Sequence, residues 1–74
     1  MTERQQLDLA FRNSFYVVTG SVPVEEIIQS KNSYLIHNPA LPVTKEIIKE
    51  MLEYFVKEEE YEKCVMLKEV MNEV

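Results

Sequence analysis

Four glutamates within five positions, Glu58, Glu59, Glu60 and Glu62, precede the only cysteine of the chain, Cys64, while the only histidine, His37, lies far upstream beside Asn38 and Pro39. Side chains of these types can hold a hard cation, form a carboxylate acid/base pair, or combine a thiol nucleophile with an imidazole base. Calcium loops intersperse acidic ligands with Asn, Gly and backbone carbonyls in a fixed order, and "EEEYE" does not follow it. Paired catalytic carboxylates need a pocket that perturbs their acidity. The tract therefore reads as a solvated turn and the charged start of a helix. Cys64 falls on an apolar stripe with acidic neighbours, which disfavour a thiolate, so it reads as a small buried hydrophobe. His37 reads as a satisfied polar contact or a surface residue. One cysteine and one histidine cannot complete a Cys/His zinc set, and a single glycine cannot build a phosphate loop. No catalytic, cofactor-binding or metal-ligating residue is expected, and the protein is read as not an enzyme.

The elements that carry these residues are helical in pattern. "TERQ" from Thr2 to Gln5 is a capping-box signature, followed by Leu7, Phe11, Phe15 and Val18 on one helical face with Ala10 and Ser14 beside it. Gly20 stands where a left-handed C-terminal cap belongs. A first helix over 3–18 follows, with "FYVVT" as a rival strand for residues 15–19. Pro23, Glu25 and Glu26 open a short second helix over 23–30, with Val24, Ile27 and Ile28 facing inward. "KNSYLIHNPALP" is a connector, and Tyr34, Leu35 and Ile36 are apolar enough to lie across the core as an extended segment.

From Thr44, a plausible N-cap, the chain has no further Gly or Pro. Ile48, Met51 and Phe55 form one stripe, and Cys64, Leu67, Met71 and Val74 form another. Phe55 and Cys64 are nine residues apart, so a continuous helix would turn the two stripes about 180° from each other. A break at Lys57 to Glu60 resolves this and predicts helices over 44–57 and 59–73 in an antiparallel hairpin. One long helix is the alternative, and the two arms can fold back within one chain or by exchange between two chains. The fold class is mainly α: one small domain over 1–74, with N-terminal helices and connector in 1–43 and the hairpin in 44–74. Met51 and Met71 belong to the core, whereas Tyr54 and Met66 fall off the stripes and are read as exposed contacts.

With 74 residues, 46% of them apolar and 28% charged, the chain is a single folded unit whose core is small enough to need support from oligomerisation or a partner. The net charge of −5 opposes binding to a phosphate backbone. Residues 1–43 hold three basic and four acidic side chains, net −1, and residues 44–74 hold five and nine, net −4. The N-terminus lacks a signal-peptide pattern and no window is apolar enough for a membrane span, so a reduced, cytoplasmic, small soluble protein is expected.

"YEKCVMLKEVM", preceded by an amphipathic helix, resembles the second half of the UVR motif, a short helical hairpin of bacterial excision-repair proteins and related regulators. Tyr61 and Glu62 stand at its aromatic-acid pair, Cys64 and Val65 at its small apolar pair, and Leu67, Lys68 and Glu69 at its aliphatic, basic and acidic positions. The small pair is usually alanine, and the last two positions are usually Arg and Asp. The similarity covers about 27 of the 74 residues. It implies association through a hairpin, often with another of the same type, and no catalysis. The expected function is thus a non-enzymatic interaction module or adaptor acting through the acidic hairpin, with Tyr54, Tyr61, Glu62, Val65, Met66, Lys68 and Glu69 at the partner surface. Its partner would be another protein or a second copy in a homodimer. The alternative is an acidic regulator or inhibitor of the mobile-element type that blocks a basic surface on an enzyme or nucleic-acid-binding protein.

Overall fold

The structure, a computed structural model, describes residues 2–74. Four helices follow in order: α1 Glu3–Thr19, α2 Val24–Gln29, α3 Lys45–Lys57 and α4 Tyr61–Glu73. There is no strand among the described residues, and residues 15–19 complete α1. The Thr2 side chain accepts from the Gln5 backbone N–H at 3.2 Å, while the Gln5 side chain accepts from the Thr2 backbone N–H at 2.9 Å, which closes the capping box. At the other end Gly20 takes φ 75. Its N–H reaches the Val17 carbonyl and that of Ser21 reaches the Tyr16 carbonyl, the two bonds of a Schellman ending.

The helix α3 starts under Thr44, whose hydroxyl accepts from the Ile47 N–H. It ends in a second Schellman arrangement: Glu59 N–H bonds to the Val56 carbonyl and Glu60 N–H to that of Phe55. Here the left-handed residue is not glycine but Glu59, at φ 59. This turn makes the expected hairpin, and α3 and α4 are the most closely packed pair. Because Glu59 and Glu60 are both non-helical, α4 begins at Tyr61 rather than at 59, and the acidic tract precedes its first turn.

Phe15, Ile48, Met51, Phe55, Cys64 and Leu67 form the buried core, so both C-terminal stripes meet against α1. The hairpin turns the 180° offset along the sequence into two faces that look at each other. Three inward assignments are corrected. Leu7 is 53% exposed, because α1 meets the end of α3 through Asp8 and Phe11, and Leu7 lies about 100° around the helix from Asp8. Ile28 is exposed while Ile27 is buried, since one and a half helical turns present a single face. Val74, past the end of α4, is also exposed.

Polar side chains of α1 seat the connector. Asn13 donates to the carbonyls of Asn32 and Tyr34 at 2.8 and 3.0 Å. The fully buried Ser14 hydroxyl accepts from the Ile36 N–H at 2.9 Å and pairs with His37 Nδ1 at 2.9 Å. Ile36 thereby packs on the core, whereas the Tyr34 side chain stays exposed. The radius of gyration, 11.7 Å, is close to the value of about 11 Å for a compact chain of this length, so the connector adds little spread.

Candidate functional site

Two arrangements on the hairpin gather the residues singled out in the sequence. The first is an ionic cluster at its turn. Arg12 of α1 grips Glu60 with two parallel bonds, Nη1 to Oε1 at 2.9 Å and Nη2 to Oε2 at 2.6 Å, and donates from Nε to Asp8 at 2.9 Å. Lys63 lies 3.2 Å from the same Glu60 carboxylate. Both cations also cover the core: the Arg12 guanidinium lies 5.9 Å from the Phe55 ring centre and Lys63 Nζ 5.4 Å from that of Phe15. Tyr54, expected as an exposed contact, is half-buried here. Its ring stacks on Phe11 with centroids 4.1 Å apart, and its hydroxyl donates to Asp8.

These contacts set the acidities. Hydrogen bonds from Arg12 and then Tyr54 hold the Asp8 carboxyl below its ordinary range, and the bond from Arg12 does the same to Glu60. Burial, together with the Asp8 carboxylate, pushes the Tyr54 phenol up. A general acid at neutral pH needs the opposite, a carboxyl raised by its surroundings. An open groove of about 790 Å³ beside Tyr54 is lined in part by Arg4, Asp8 and Glu58, yet its Asp8 is committed to Arg12 and Tyr54. The cluster ties the turn to α1 and covers the core edge.

Cys64 is buried, with its thiol toward the Leu52 carbonyl, and His37 is bonded to Ser14, so the two potential reactive groups have separate partners. Burial lowers the pKa of His37 and favours the neutral ring. Among the described residues, no group of three or more His, Cys, Asp and Glu is placed to hold a metal ion, and no helix is long and apolar enough to cross a membrane.

The second arrangement is the outward face of α4. Tyr61 is 59%, Val65 57% and Met66 41% exposed, and Glu62, Lys68 and Glu69 are exposed with them. At 100° per residue these six side chains occupy an arc of about 160° opposite Cys64 and Leu67. Tyr61 and Val65 form one row with Lys68, and Glu62 and Met66 form the next with Glu69. The face therefore has an apolar centre with charges of both signs around it. Six of the seven nominated contact residues lie on it, and Tyr54 does not. The Arg12–Glu60 grip was not anticipated, since 48 positions separate its members and neither stands in a motif. Comparison with family models, curated proteins and solved structures finds no match.

Proposed function

We propose that this chain is a non-enzymatic interaction module whose C-terminal hairpin docks on another protein, or on a second copy of itself, through the outward face of α4. The observation that carries the reading is the pairing of large apolar side chains, Tyr61, Val65 and Met66, on the exposed side of a helix whose other side is already buried. A small domain with a limited core gains stability by covering such a face. Glu62, Lys68 and Glu69 around it would fix the register of the partner. The UVR-like pattern of residues 61–69 supports the same use, because hairpins of the family it resembles often associate with others of the same type. A free, buried thiol suits a reducing, cytoplasmic setting.

Sedimentation of the purified chain over a concentration series at low and high salt tests this. Self-association that persists in high salt and is abolished by Val65→Asp, with helical content unchanged, is the expected result for the homodimer. A strict monomer at high micromolar concentration overturns the homodimer and leaves a foreign partner. One observation favours the acidic regulator as a second reading: Glu46, Glu50, Glu53, Glu58, Glu59, Glu62, Glu69 and Glu73 are all exposed. Binding to a basic surface through these would collapse between low and high salt, whereas apolar docking would not.

A further inference from the structure

We propose that the α3–α4 turn is a hinge through which two copies of this chain exchange their α4 helices. Glu59 is the one non-glycine residue with positive φ among the described residues, and a left-handed L-residue is strained by its own Cβ. Around it, residues 45–73 contain no Gly or Pro and are rich in Glu, Lys, Met and Leu, all good helix formers. Local preference across the turn therefore favours a continuous helix, and the turn is kept closed by the packing of α4 on its own chain together with the backbone bonds of Glu59 and Glu60 and the Arg12–Glu60 pair. When the turn straightens, the nine-residue offset between Phe55 and Cys64 points the Cys64, Leu67 and Met71 face away from its own α1 and α3. The surface complementary to that face is already defined: it is Phe15, Ile48, Met51 and Phe55 of a second copy.

Glu60 is the latch. It lies inside the hinge, so the pair of hydrogen bonds it accepts from Arg12 is a tie that exchange does not rebuild, while the core contacts of α4 are remade in trans. Strain at Glu59 and the grip on Glu60 thus act in opposite directions on neighbouring residues. Exchange buries the inner face of α4 and does not involve the outer face used for docking, so the two ideas fail separately.

The test is refolding at about 1 mM, followed by dilution and sedimentation, with labels at Lys45→Cys and Glu73→Cys attached in the native state, where Cys64 is buried. Doubly labelled chains are mixed with excess unlabelled chains before refolding. The expected product is a slowly dissociating dimer in which the two labels of one chain lie about 42 Å apart, the length of a continuous helix. In the monomer they lie at the same end of the hairpin. Glu59→Gly should lower the association constant by at least about tenfold, since two hinges lose their strain and the straight helix gains two glycines. Glu60→Gln should raise the dimer fraction, and Val65→Asp should leave it unchanged. A dimer that keeps the short distance, the absence of a dimer even in Glu60→Gln, or an unchanged constant in Glu59→Gly each overturns the proposal.

Discussion

Ser14 shows how one small polar residue organises a connector of about fifteen residues. Its hydroxyl is fully buried, receives the Ile36 N–H and pairs with His37. Replacing it with alanine leaves the partly buried Ile36 N–H without its acceptor, and an unsatisfied donor of this kind costs up to about 1–3 kcal/mol. In a domain of this size each kcal/mol lowers Tm by roughly 4–8 °C. Ser14→Ala should therefore melt well below the parent chain in a calorimetric scan, while Ser33→Ala, at an exposed position, should change stability by less than about 0.5 kcal/mol. Arg12 is the second organising residue, since it joins Asp8, Glu60 and the face of Phe55 in one side chain. Its planar fork permits this, and lysine could not reproduce the two parallel bonds to Glu60.

At the scale of elements, two helices end in the same backbone geometry with different residues. Gly20 at φ 75 has nothing within 4 Å of where a Cβ would stand, so the cost of Gly20→Ala is that of the backbone alone. Glu59 already bears that cost. Gly20→Ala should destabilise the chain by about 1 kcal/mol, and Glu59→Gly should stabilise the monomer by a similar amount, read as opposite shifts of the urea midpoint with an unchanged slope. If both shift in the same direction, the left-handed turns are not what ends these helices. α2 is the weakest element, with six residues, no side-chain cap at its N-terminus and one buried side chain.

For the whole molecule, the ionic cluster gives stability a pH dependence of definite sign. Asp8 and Glu60 are held below their ordinary values of 3.8 and 4.5, so the folded state binds fewer protons there. Their contribution is complete above those values and is lost as pH falls through the lower folded ones. His37, lowered from 6.5 by burial, acts with the same sign, and its loss begins as pH drops below 6.5. Tyr54 is raised from 10.0, so its contribution is present below pH 10 and fades only as pH rises toward the higher folded value. Urea midpoints should form a plateau from about pH 7 to 10 and fall on the acid side, and Arg12→Gln should flatten the acid limb below pH 5. An acid limb that is unchanged in Arg12→Gln would remove the cluster as its source.

The sequence by itself determined the four helices and their caps at Thr2, Gly20 and Thr44, because each follows from interactions within a few positions: capping bonds and apolar spacing. The offset of two stripes pointed to a hairpin, but one long helix satisfied local preference equally, and packing on α1 closed the turn. The sequence also marked the outward residues of α4, since the side opposite a buried stripe must face away from the core. Tertiary structure alone decided the fates of Leu7, Ile28 and Tyr54, because which part of an apolar face is covered depends on where a neighbouring helix ends. It alone joined Arg12 to Glu60 and Ser14 to Ile36 and His37, pairs 48, 22 and 23 positions apart. No local spacing encodes such pairs. They form because packing of the apolar stripes first brings the helices together, and polar groups caught at the edges must then find partners.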